Sequence, residues 1–273
     1  MSIHRLAAGL AGILVASPAL AADPYVLDTS QVAIANNADL VIELGIGGQV
    51  QPRFLGSDEY ILSPFPIVSL SYLSLPGLFE IGGGPKTAFS LAPSFRFIGE
   101  RDPSDHEDLA GTRELDRTYE VGLRAGYEFN FNAVYGAEVF GEARYAFGEA
   151  EGFVGGFGVH AIVRPTEVLE LKVGPRASLA SDDYVQTYFS VSPAESMASL
   201  GRLEAYEADG GFYSVGLEAS ARYEFRPDWF LNLEAGYERL VGDAEDSPIV
   251  RVGSANQFTA GIGVSRRFSL DLF

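Results

Sequence analysis

His106 lies in Asp102-Pro-Ser-Asp-His-Glu-Asp108, where a hydroxyl, an imidazole and carboxylates fall within a few residues. These are the groups a hydrolase uses to activate a nucleophile, but such triads are assembled from distant segments by the fold, not from neighbours in one loop. An exposed loop histidine is therefore the expectation. His160 sits in an alternating segment, on the phase that also carries charges, and is expected to meet carboxylates of neighbouring segments such as Glu142 or to hydrogen-bond internally. Neither histidine belongs to a His-Glu-x-x-His helix signature. Gly82-Gly-Gly-Pro-Lys-Thr87 imitates a phosphate loop, yet Pro85 removes an N–H and no glycine precedes the lysine. The acidic runs Gly56-Ser-Asp-Glu59 and Asp243-Ala-Glu-Asp246 offer closely spaced oxygen ligands without the EF-hand order, and turn chemistry accounts for them. The reading is of a protein that is not an enzyme, with no catalytic, cofactor or metal site.

The elements that would carry these residues begin with an export signal. Met1-Ser-Ile-His-Arg5 is followed by an apolar stretch, Leu6 to Ala16, and by Ala19-Leu20-Ala21, which together read as a cleaved signal peptide over residues 1–22. A polar leader, residues 23–38, comes next and includes Asn36-Asn37. It is expected to lie in the periplasm as a disordered segment or a tether. There is no cysteine to take a lipid or form a disulfide. With 19 basic against 37 acidic side chains, nucleic acid is excluded as a partner.

From Asp39 onward apolar residues alternate with polar or small ones, the signature of transmembrane barrel strands. In Tyr119–Phe131 the odd positions are apolar, and the even ones include Glu120, Arg124 and Glu128. The same parity recurs in Tyr135–Phe147, Phe153–Val163, Tyr213–Phe225 and Trp229–Val241. Even positions are apolar in the first strand (Leu40, Ile42, Leu44, Ile46), the second (Val68, Leu70, Tyr72) and the last (Phe258, Ile262, Val264, Phe268). Two longer stretches, Leu78–Gly99 and Glu167–Val191, each read as one strand or as a hairpin of two.

Counting each as one gives ten strands. Every even-numbered connection is then short, while the long loops 51–59, 100–116, 192–210 and 242–255 all fall on the other end. Short periplasmic turns, longer extracellular loops and an even strand count are the known asymmetry of outer-membrane barrels. The fold class is therefore an all-β antiparallel transmembrane β-barrel over residues 39–273, with about ten strands and twelve as the alternative. Phe129, Phe131, Tyr135, Phe225 and Trp229 cluster near the short turns as an interfacial girdle. Glu138, Glu142, Arg144, Glu170, Lys172, Arg176, Glu218, Arg222, Glu224, Glu234 and Glu238 join the inward set, where opposite signs are expected to pair across the lumen. The chain ends Phe268-Ser-Leu-Asp-Leu-Phe273, and either Phe268 or Phe273 is expected to be the signal read by the barrel-insertion machinery.

Four segments resemble the MipA/OmpV family of outer-membrane proteins. They are Gly56, Ser57, Asp58 and Tyr60 with Pro64 and Pro66; Tyr188, Phe189, Ser192 and Pro193; Gly242, Asp243, Ser247 and Pro248; and Gly253, Ser254, Asn256 and Gln257. The resemblance runs from about Asp39 to Phe268. Two departures are Arg266-Arg-Phe268 followed by a five-residue extension, where members end in Tyr-Arg-Phe, and a shorter segment around Gly82-Gly-Gly-Pro85. The resemblance implies residence among the lipids of a Gram-negative cell outer membrane. It also implies a scaffold role joining a lytic transglycosylase to a murein synthase, with porin-like and adhesin or antigen roles as the alternative in other members.

Overall fold

The computed structural model describes residues 38–75, 79–81 and 88–272. The signal segment, all but the last residue of the leader, the Gly82–Thr87 run and Phe273 lie outside these described residues. Eleven strands follow one another along the chain: β1 (Leu40–Pro52), β2 (Tyr60–Leu75), β3 (Phe79–Ile81), β4 (Ala88–Ile98), β5 (Thr118–Asn130) and β6 (Tyr135–Gly148), then β7 (Gly152–Thr166), β8 (Leu169–Ala180), β9 (Gly211–Arg226), β10 (Trp229–Leu240) and β11 (Asn256–Leu270). Neighbours pair antiparallel, and β1 pairs with both β11 and β2, so the sheet closes on itself. β3 and β4 both pair with β2 and share one place in the wall, which is a ten-stranded barrel.

Alternation decides which side of the wall each residue takes, because successive side chains of a strand point to opposite faces. In β5, Glu120 is buried inside while Tyr119, Val121 and Leu123 are exposed outside. Ile46 at 72% and Leu62 at 78% accessibility belong to the same outer belt. An apolar exterior around a charged interior inverts a water-soluble protein. It is the arrangement a strand wall needs in lipid, where closure also removes every edge. At the short-turn end Phe129, Phe131, Tyr135 and Phe225 all face outward. Arg266 lies 5.4 Å from the Trp229 ring and 5.2 Å from that of Phe268, a cation laid along aromatic faces at the rim.

Two sequence expectations need correction. The stretch 167–191 is not one strand: β8 stops at Ala180, and Asp182–Phe189 is a helix, α1. Its odd-position apolar residues Val185 and Phe189 are four apart, so they suit either period. Tyr184 and Tyr188, buried beside them, complete a helical face that the alternation had hidden. The stretch 78–99, counted as one strand, contributes β3 and β4, which share one place in the wall. Tyr72 leaves the outer phase because the β1–β2 register slips between Val41 and Ile42, which places Tyr72 opposite buried Val41.

Ile46 sits at the middle of β1 on the lipid-facing side. I46R is expected to destabilise the barrel in lipid by about 2–4 kcal/mol. Equilibrium urea unfolding from phosphatidylcholine vesicles measures this, and an unchanged midpoint would contradict the assigned orientation of β1.

Candidate functional site

The inward charges form a continuous network. Arg144 is held by Glu120 at 2.7 Å and Glu142 at 2.8 Å. Arg176 joins Glu142 at 2.6 Å, Glu218 at 2.9 Å and Glu238 at 3.2 Å. His160 bridges Glu138 through Nδ1 at 3.1 Å and Glu218 through Nε2 at 2.6 Å. Its expected neighbour Glu142 is taken by the arginines instead. Cross-strand register sets Glu138 directly opposite His160, whereas Glu142 stands opposite Gly156. Arg124 lies 3.7 Å over the Phe140 ring and meets Glu138 and Glu218 at 3.8 and 3.6 Å.

A second layer lies nearer the short turns. Arg164 reaches both Glu128 and Glu170 at 2.6 Å, and Arg222 binds Glu43 at 2.5 Å while stacking 3.5 Å from Phe230. Glu43 and Arg96 were missed by the sequence reading. Both occupy inward positions of their strands, so the alternation that found Glu120 holds for them too. Every contact named for His160 is a carboxylate, an arginine or the Phe140 ring, so the geometry makes it a crosslink within the network.

The long loops fold back over one end of the barrel as a hydrophobic plug. Phe54, Leu55, Leu109, Leu115, Tyr188, Phe189, Leu203, Ile249 and Val250 are all buried together there with strand ends such as Val154 and Leu240. Besides α1 the plug holds three short helices: α2 (Pro193–Ala198), α3 (Asp243–Asp246) and α4 (Pro248–Val252). Tyr184 of α1 donates its hydroxyl to Glu120 at 2.6 Å and so ties the plug to the ion network. Burial pushes the Tyr184 and Tyr188 phenols above their ordinary range. Arg101 is fully buried in the plug and donates to the Tyr188 carbonyl at 3.0 Å. Burial, with Arg113 nearby, lowers its guanidinium to about 10.

The four segments carrying the family resemblance converge in this plug. The Gly56 amide donates to Gln257 Oε1 at 3.2 Å, and Gln257 Nε2 returns a bond to the Ser57 carbonyl at 3.2 Å. The Ser254 amide donates to the Gly56 carbonyl at 2.8 Å. Gly56 has φ +90°, a conformation that favours glycine, and a Cβ on Gly253 would stand 2.1 Å from the Gly56 oxygen. Ser247, the N-cap of α4, donates to the Phe189 carbonyl at 2.6 Å. Ser192 caps α2 in a reciprocal box with Glu195, and Pro193 opens that helix. Gly242 caps α3, and Asp243 accepts from the Asp209 amide at 3.0 Å. Pro248 is buried and Asp58 exposed. Pro64 and Pro66 stand apart from the plug, on the outer face of β2.

The remaining candidates take structural places. His106 is half-buried rather than exposed, packed edge-on to Phe54 with Glu59 at 3.6 Å. In the same loop the Ser104 amide donates to Asp102 at 2.8 Å, a turn that holds the Asp102 carboxyl below its usual range. In the acidic runs Glu245 pairs with Arg239, and Ser57 Oγ accepts from the Glu59 amide at 3.0 Å. Among the described residues no three His, Asp or Glu side chains converge as a ligand set.

The family model described as MltA-interacting protein MipA matches residues 44–268. No curated protein matches the chain. Among solved structures, an outer-membrane channel of Pseudomonas putida F1 is 11% identical, with 85% of this chain and 96% of that one covered and a TM-score of 0.45. Ail, the attachment invasion locus protein of Yersinia pestis, is 12% identical over 85% and 99% of the two chains at 0.30. The toluene transporter TodX of P. putida is 10% identical over 91% and 94% at 0.32. All three scores lie below 0.5, where likeness of shape carries no inference about function.

G253A is expected to force Gly56 and Gly253 apart, costing about 1–3 kcal/mol and loosening the plug while the strands persist. Limited trypsin digestion reads this as faster cleavage at Arg251 and Arg202, with the heat-modifiable gel mobility of the barrel retained. Equal cleavage of variant and parent would show that this contact does not hold the plug.

Proposed function

Because the chain belongs to the MltA-interacting protein MipA family, and because loops fill its long-loop end, we propose that it is an outer-membrane scaffold for cell-wall enzymes and not an open pore. The family match over residues 44–268 carries this reading, since the family's description names MltA as a partner, and we take that partner to be a lytic transglycosylase. A murein synthase is the second partner that a scaffold of this kind would bring to it. The apolar belt and inward charges support residence in the outer membrane of a Gram-negative bacterium. Export would use residues 1–22 as a cleaved signal, with the short turns and the leader 23–38 facing the periplasm.

The turns between β5 and β6, β7 and β8, and β9 and β10 give a periplasmic partner little surface. The leader 23–38 is therefore proposed as the tether. Phe268, outward on the last strand beside Arg266, and Phe273 are proposed as the signal for the insertion machinery. The plug favours the scaffold over a diffusion channel, since a solute would have to pass a cluster of buried apolar side chains.

Crosslinking in intact cells, followed by affinity capture from detergent, tests the reading. Lytic transglycosylase and murein synthase are expected in the captured material and lost when residues 23–38 are deleted. Capture of neither enzyme, together with conductance of the purified barrel in planar bilayers, would replace the scaffold with a channel.

A further inference from the structure

The lumen is filled unevenly. Long charged side chains from β5 to β9 meet across one side, whereas β1 and β11 turn Gly45, Gly47, Gly261 and Gly263 inward. Phe65 and Ile67 of β2 pack against Gly261 and Gly263, and a lumen cavity of about 510 Å³ is lined by Gln49, Ser90, Ser220, Asn232, Glu234 and Thr259 among others. Small-molecule sites typically measure roughly 300–1,000 Å³.

Glu234 of β10 lines this cavity, opposite Ser220 on β9 and Gly261 on β11. The other carboxylates around the cavity are engaged: Glu138 by Lys172 at 3.2 Å, Glu142 by Arg144 at 2.8 Å, Glu170 by Arg164 at 2.6 Å, and Glu218 and Glu238 by Arg176. Glu234 has no ion pair or hydrogen bond among the described residues, and its side chain is accessible from the cavity. Arg124 and Arg176, the nearby cations, are held by those other carboxylates. An ionised carboxylate inside a protein wall is costly unless something of opposite charge meets it.

Neutral hydrogen-bond acceptors also lie near Glu234. The Ser220 and Thr259 hydroxyls line the same cavity, and Asn232 spends its NH₂ on Ser265 at 2.7 Å, which leaves its amide oxygen available. A carboxylate without a bonded partner among the described residues, with hydroxyl and amide oxygens nearby, matches a primary ammonium group, which has one charge and three N–H donors to place. A divalent metal ion would call for six or more oxygen ligands with several carboxylates among them, and only one carboxylate is free. We infer that the lumen cavity binds a primary ammonium group at Glu234, with two of the Ser220, Thr259 and Asn232 oxygens accepting its remaining two N–H bonds and the organic remainder occupying the rest of the cavity. The plug closes the long-loop end, so the amine arrives from the short-turn end.

Calorimetric titration of the full chain in phosphatidylglycerol nanodiscs with n-butylammonium chloride tests this. Saturable binding is expected, unaffected by tetramethylammonium, which has no N–H to donate. E234Q should weaken it by about tenfold or more, as loss of a charged hydrogen-bond partner implies. E234D should keep part of it, and E224Q, altered at the short-turn rim outside the cavity, should keep all of it. Repeating the titration in phosphatidylethanolamine nanodiscs separates the sources. Loss of butylammonium binding there marks a lipid headgroup as the natural occupant, and equal binding marks a soluble amine. Heat-modifiable mobility of E234Q confirms that the barrel has formed. Absence of saturable binding to the parent chain, or equal affinity in E234Q, overturns the inference.

Discussion

A strand wall in lipid has no water to satisfy its backbone, so it must close and keep its charges off the outer face. Most of what is distinctive in this protein follows from that constraint. Closure with ten strands makes a narrow lumen, and the two-residue alternation sends nearly all strand charge into it. Charges so confined need partners. Arg144, Arg176, His160 and Lys172 therefore share carboxylates in a connected network instead of forming isolated pairs. The network is crosslinking for the wall, because its members come from β5 to β10.

The same network supports the loops. Tyr184 reaches Glu120 from α1, so the plug rests on the ion layer as well as on its own apolar packing. The family segments then have a physical explanation that does not involve a partner. Gly56 and Gln257 are 201 residues apart in sequence and meet through backbone and amide bonds, and the Ser247 hydroxyl reaches the Phe189 carbonyl across 58 residues. Residue types at these positions are restricted by close backbone approach, positive φ and helix capping. The shared residues thus account for how the long-loop end is closed. A periplasmic partner would meet the opposite end, where the described turns are short.

Uneven filling gives the lumen its remaining character. Paired charges fill the β5 to β10 side, Phe65 and Ile67 pack on the glycines of β11, and Glu234 lines the cavity that is left.

Alternation was readable without coordinates because side-chain direction in a strand is a local property of the two-residue repeat. It determined the barrel class, the inward position of Glu120, Arg124, Glu142 and Glu218, the outward aromatics at the short turns, and the end at which the long loops gather. Partner choice was not readable in this way, because it depends on register around a closed ring: His160 meets Glu138 and Glu218, with Glu142 drawn to Arg144 and Arg176. Nor was α1, whose Val185 and Phe189 fit both periods until Tyr184 and Tyr188 were seen packed beside them. One slipped register moved Tyr72 across the wall, and only long-range contact brought Gly56 to Gln257. Sequence determined which face each strand residue takes; tertiary structure decided what it meets there, because that depends on segments far away in the chain.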